Sequence, residues 1–184
     1  MIQRILHILS SISLLAVIYL INNGVGFGTL LEAIGIDVKY DLPQWVSYLT
    51  YIAVAIGFAG GLILSFKKLR PGELRNQHIE QLDSDNSGLL AMIMAYVFVG
   101  LSINNGWTLI AVMLFLLIFN LCGSSHIYNP LFYLYGYHYY YVTSSKTKIL
   151  VMTKTKYPLG SNADFQQCGC LNDYTYIDLS NKNA

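Results

Sequence analysis

From Asn86 to Ser145 the chain runs sixty residues without an Asp, Glu, Lys or Arg. A soluble fold of that length needs ionisable groups on its wet face, because polar surface must be spread over any compact core. Such a stretch calls for lipid around it. Two further uncharged runs, Ile5 to Leu31 and Pro43 to Phe66, repeat the pattern. Charged residues make up 11 % of the chain and hydrophobic ones 54 %, against about 25 % charged in an ordinary globular domain. The chain reads as an integral membrane protein, and its net charge of +1 supplies no large field to attract nucleic acid directly.

A spanning helix needs roughly 17–25 apolar residues. Segments 5–21, 46–66, 88–103 and 107–128 meet or approach that length. The first reads as a retained helix, since Tyr19-Leu20-Ile21-Asn22-Asn23 lacks a small-residue cleavage pattern. Lys67, Lys68, Arg70 and Arg75 follow the second segment, and Lys146, Lys148, Lys154 and Lys156 follow the fourth. The other connections carry one base, Lys39, outweighed by Glu32, Asp37 and Asp41. Because Lys and Arg collect on the cytoplasmic side, the expected architecture is an all-α membrane protein. It has four transmembrane helices within residues 1–138, both termini in the cytoplasm, and a small cytoplasmic β-rich tail over 139–184.

In that tail, Tyr139 to Thr143 and Ile149 to Thr153 are β-branched and aromatic runs joined by Ser144-Ser145-Lys146-Thr147-Lys148, a hairpin signal. Tyr174 to Leu179 alternates as a third strand. A three-stranded unit has little core of its own and needs the helices, a second subunit or a partner to hold it. The aromatic run from Phe132 to Tyr141 suits an interfacial belt at headgroup level. Between the first two helices, the glycine-rich stretch 24–42 suits a short helix lying on the outer interface. Ile21-Asn22-Asn23-Gly24 recurs as Ile103-Asn104-Asn105-Gly106, which is good turn chemistry where a helix leaves lipid.

Few constellations carry chemistry. In the second helix Ala53, Gly57, Gly61 and Ser65 fall at four-residue spacing, and such a stripe lets another backbone approach closely. It serves an intersubunit face or packing within the chain equally well. Cys168-Gly169-Cys170 has a one-residue spacer that matches structural zinc poorly, and three cysteines do not form a disulfide framework. No nucleophile, base and orienting group can be assembled from the scattered His7, His78, His126 and His138. The expectation is therefore a non-enzyme with no catalytic residues, cofactor or metal. Ion-coupled transport is disfavoured too, because no Asp, Glu, Lys or Arg lies within any of the four segments and His7 sits near the end of the first. A passive pore lined by Asn22, Asn23, Asn104, Asn105 and Asn120 needs no charge and stays open as an alternative.

The arrangement of short spans, a polar loop after the second, and a tail containing Tyr140-Tyr141-Val142, Lys148-Ile149-Leu150-Val151-Met152-Thr153-Lys154 and Asn172-Asp173-Tyr174-Thr175-Tyr176-Ile177 resembles the KwaA family, the membrane subunits of bacterial Kiwa anti-phage systems. The resemblance implies an inner-membrane homo-oligomer, a tetramer, acting as sensor and scaffold for a cytosolic DNA-binding effector, KwaB. On this view Lys67, Lys68, Arg70 and Arg75, with Tyr174 and Tyr176, form the docking surface. The competing class is a channel or permeabilising protein, either independent or accessory to a CRISPR-type immune system.

Overall fold

The computed structural model describes residues 2–33, 35–36, 43–66, 69, 81–84, 86–123, 126, 128–144, 147–157, 165, 168–172 and 174–179. Its helices are α1 (Ile2–Asn22), α2 (Phe27–Ala33), α3 (Gln44–Ser65), α4 (Asn86–Ser102), α5 (Gly106–Cys122) and the short α6 (Pro130–Tyr133). The strands are β1 (Gln81–Ser84), β2 (His138–Ser144), β3 (Thr147–Thr153), β4 (Cys168–Asn172) and β5 (Thr175–Asp178).

The all-α, four-span architecture expected from the sequence does not hold. The fold is α+β, with a five-stranded sheet in the order β1-β2-β3-β5-β4. Among the described residues, α1 and α3, with 21 and 22 residues, are long and apolar enough to cross a membrane. The other two apolar helices, α4 and α5, have 17 residues each. At 1.5 Å per residue they reach about 25 Å, short of a hydrocarbon layer about 30 Å thick. Hydropathy had extended α5 to residue 128, but Gly123 turns to an extended conformation and ends the helix at Cys122.

Helix α1 is the central post, packed against α3, α4 and α5. Its Ile8, Ile12 and Leu15 are fully buried, at the spacing that places side chains on one helical face. Gly100 of α4 lies so close that a Cβ there would come within 2.7 Å of Ile18 Cγ2. At the start of α1, one Arg4 Nη donates to the carbonyls of Asn120 and Gly123 at 2.8 and 2.9 Å, capping the C-terminal end of α5 with a cation. At the opposite end the two Asn-Asn-Gly turns meet. Asn22 Nδ2 donates to Leu101 O, Asn23 Nδ2 donates to Tyr19 O and Ile103 O, and Asn105 Oδ1 accepts from the Trp107 N–H that opens α5. The short helix anticipated between α1 and α3 is α2.

The hairpin forms in the expected place, with Tyr140 opposite Val151 and Val142 opposite Ile149. Strand β5 then runs parallel to β3 and antiparallel to β4, while β1 adds to the edge of β2. The period-two alternation of a strand sends neighbours to opposite faces. Tyr139, Leu150, Met152 and Ile177 join Ala59, Leu62, Phe66 and Phe132 in one core shared with the bundle. Leu82, Tyr140, Val142, Ile149, Val151 and Cys168 form the other face, closed with Tyr157 and Phe165. The sheet borrows its core from the helices, which answers its need for support.

Candidate assembly and docking surfaces

Helix α3 has two sides made of small residues. One is filled. Ala55 and Ala59 are buried with Leu62, and Gly60 admits the ring of Tyr135, whose hydroxyl donates to Ile56 O at 2.7 Å. The other side carries the stripe read from the sequence. Ala53, Gly57 and Gly61 are exposed and Ser65 is half-buried. Among the described residues, and apart from the backbone of the helix itself, no atom lies within 4 Å of where a Cβ would stand at Gly57 or Gly61. Among the described residues, packing uses Ala55, Ala59 and Gly60 and leaves Ala53, Gly57 and Gly61 open, while the Ser65 carbonyl accepts from Gln3 Nε2 at 3.2 Å.

The apolar exterior extends beyond this stripe. Trp45, Val54 and Leu64 on α3, Leu90 and Phe98 on α4, and Trp107, Phe115 and Phe119 on α5 are all exposed. Monomeric soluble proteins rarely expose so many large apolar side chains on every outer helix. Trp45 and Trp107 stand in the first turns of α3 and α5, at the bundle end where the Asn-Asn-Gly turns meet. Tryptophan there suits the boundary between lipid and water. Two long apolar helices and this exterior point to membrane association.

Where the bundle meets the sheet, the sequence reading missed a buried polar joint. Asn129 Oδ1 accepts from the Leu131 N–H, capping α6, while Nδ2 donates to Ser10 Oγ at 3.1 Å and weakly to His7 O at 3.5 Å. Its main-chain N–H donates to Tyr139 Oη and its carbonyl accepts from that hydroxyl, at 3.0 and 2.7 Å. One residue thereby fastens α1, α6 and β2. The signal was the dipeptide Asn129-Pro130, an N-cap followed by proline in the first helical turn. Beside the joint, His7 lies buried against the rings of Phe66 and Phe132. Burial raises the pKa of the Tyr139 hydroxyl well above its ordinary value, opposed in part by its hydrogen bond to Asn129. The tyrosines expected in an interfacial belt are largely in this seam: Tyr137 and Tyr139 are buried, and Tyr128 and Tyr141 share a 2.6 Å hydrogen bond. Tyr133 alone of that run is classed as exposed.

Of the docking residues expected from sequence, Lys67, Lys68, Arg70 and Arg75 lie outside the described residues. Tyr174 and Tyr176 are both half-buried but serve different faces. The Tyr174 ring lies 6.2 Å from that of His126, and its carbonyl accepts from the Leu150 N–H. Tyr176 packs against the cluster that includes Tyr140 and Val151. Cys168 and Cys170 sit on β4. Burial first, then the nearby Asp178 carboxylate, push the Cys168 thiol up to about 12. Cys170 Sγ contacts Asn172 O at 3.2 Å. Among the described residues no group of three His, Cys, Asp or Glu side chains is placed to hold a metal ion. Of the asparagines considered for a pore, Asn22 and Asn23 bond to the end of α4, Asn105 caps α5, and Asn120 Nδ2 donates to Leu116 O within its own helix.

Nothing among curated proteins or solved structures matches the chain. Residues 3–177 do match the family described as anti-phage protein KwaA, so the match runs from the first turn of α1 to the penultimate residue of β5. On a match that takes in every helix and strand described above, the chain belongs to the KwaA family of anti-phage proteins.

Proposed function

We propose that this chain is the membrane sensor and scaffold subunit of an anti-phage complex. The helical bundle sits in the bacterial inner membrane, with α1 and α3 crossing it and the apolar outer faces of α4 and α5 against lipid. Copies associate through the open face of α3 into a homo-oligomer, a tetramer by family resemblance. The sheet end faces the cytoplasm, as the basic residues Lys148, Lys154 and Lys156 favour, and holds a cytosolic DNA-binding effector. Both chain ends lie on that side. The chain acts by assembly and contact, without catalysis of its own.

The observation that carries this reading is the unfilled small-residue face Ala53, Gly57, Gly61 on a helix whose opposite side is packed. In lipid, where there is no water to expel, small residues that let backbones approach are the usual device for helix association. Two Leu side chains placed on that face, Gly57→Leu and Gly61→Leu together, are expected to reduce the particle to monomers by native mass measurement in mild detergent. Particle mass equal to that of the unaltered protein would remove the assembly face.

A further inference from the structure

On the sheet face turned away from the helices there is a polar cavity of about 310 Å³, at the lower end of the size range of small-ligand sites. Its walls are Ser84, Tyr133, His138, Tyr140, Lys156 and Tyr157. Four separate pieces of chain supply them. Ser84 ends β1 opposite Tyr140 of β2, and His138 opens β2 on the same face two residues earlier. Tyr133 ends α6, and Lys156 and Tyr157 follow β3.

Everything the walls present suits an anion. The Tyr157 N–H donates to Tyr140 Oη at 3.1 Å, which leaves the Tyr140 hydroxyl proton to donate elsewhere. The Tyr133 ring stands edge-on to His138 at 5.8 Å, and Ser84 adds a second hydroxyl. Lys156 and His138 have no carboxylate partner among the described residues. The Asp178 carboxylate, two strands away from His138 on this face, already accepts from the Thr153 hydroxyl at 2.8 Å and is buried. Burial, and then the charge of Lys156, hold the His138 imidazole below its ordinary pKa. A lysine ammonium facing a cavity that presents no carboxylate among the described residues is favourably met by an anion, and the neutral His138 ring adds an N–H donor. Ser84 also stands just ahead of α4, at the end where a helix carries partial positive charge.

We propose that this cavity binds a phosphate-bearing anion, with Lys156 supplying the charge and Ser84, Tyr133, His138 and Tyr140 supplying donors. Two sources share that chemistry: the headgroup of an anionic phospholipid, and a free phosphate compound such as a nucleotide. Only the lipid source rests on the membrane reading above.

The full chain, purified in uncharged detergent, is titrated with pyrophosphate and with ADP, and separately placed in nanodiscs of phosphatidylcholine with or without phosphatidylglycerol. Binding of either soluble probe, or retention of phosphatidylglycerol after delipidation, supports the site and tells the two sources apart. Lys156→Gln alters an exposed side chain and is expected to weaken the responding probe about tenfold, the worth of one charge-assisted hydrogen bond. Lys154→Gln is the control, because the Lys154 ammonium lies over the Tyr137 ring and outside the cavity walls. It is expected to leave binding unchanged. Failure of every probe to bind, or equal losses in the two lysine variants, overturns the proposal.

Discussion

Gly60 and Gly61 are neighbours in α3, yet the space beside one is filled by Tyr135 and the other faces no side chain among the described residues. The difference teaches that small residues on one helix can do two unrelated jobs. On the filled side, glycine and alanine let α1 and the α6 region close against α3, and the space they leave is taken by a tyrosine whose hydroxyl satisfies the Ile56 carbonyl. On the open side the same residue types keep the helix surface flat. Four-residue spacing marks such a surface without saying which neighbour occupies it. The filled side belongs to the folding of one chain, and the open side is free for a second.

The sharpest way to break this comparison is to enlarge both sides. Gly60→Leu must displace Tyr135 and lose its hydrogen bond, at a cost of about 2–4 kcal/mol. Thermal unfolding in detergent checks it, and a Tm equal to that of the parent would mean that the Tyr135 contact is dispensable. Next, Asn129→Ala removes the cap of α6 and the Ser10 bond from the filled side, and about 2 kcal/mol of stability should go with them. The same unfolding experiment reads it, and a loss below about 0.5 kcal/mol would show that the joint does not hold α1 to the sheet.

Alkaline titration probes both faces of the sheet at once. Tyr139 faces the bundle and Cys168 the opposite side, and burial raises both pKa values above the ordinary 10.0 and 9.0. The folded state holds these protons more tightly than the unfolded chain. Stability from Cys168 is therefore complete below pH 9.0 and declines as pH rises toward about 12, with Tyr139 adding to the loss above 10.0. Each group contributes a slope of about 1.4 kcal/mol per pH unit. Urea midpoints that stay level between pH 9.0 and pH 12 would contradict the buried, protonated thiol. The smallest effect is on the open side, where Gly57→Leu should change the unfolding free energy of a single chain by less than about 0.5 kcal/mol. A loss as large as that of Gly60→Leu would erase the distinction between the sides.

The helices were legible because apolar runs between charged loops have few alternatives, and their ends were marked by Asn-Asn-Gly, Asn105 and Pro43. The β2–β3 hairpin was legible from its alternation and its polar turn. What was missed depended on distant partners. Gln81-Leu82-Asp83-Ser84 carries one apolar side chain in four, too few to mark a strand, and is held by pairing with β2. Cys168-Gly169-Cys170 was not read as a strand because glycine weakens strands, but Leu69 and Leu179 close over Gly169 and leave no room for a side chain. The tyrosine run misled for the same reason: a belt needs only lipid and water, whereas Tyr135 and Tyr139 find their acceptors at Ile56 and Asn129. Length limited the membrane reading: the 88–103 segment was already short in the sequence, whereas an apolar count to residue 128 passed over Gly123, which ends α5 at Cys122. The polar cavity drew its walls from residues 84, 133, 138, 140, 156 and 157, a set with no common motif.

The four-residue strand β1 has a mechanical consequence. It sits in the connection from α3 to α4, while its partner β2 follows α6, so the β1–β2 ladder ties the entry to α4 to the exit from α6. A lengthwise slip of one residue, about 3.3 Å, would turn every side chain of β1 to the opposite face. Leu82 would leave its buried site and Gln81 or Asp83 would have to enter it. The edge of the sheet thus works as a detent, resisting small sliding between these helices and yielding only to a displacement large enough to break the ladder.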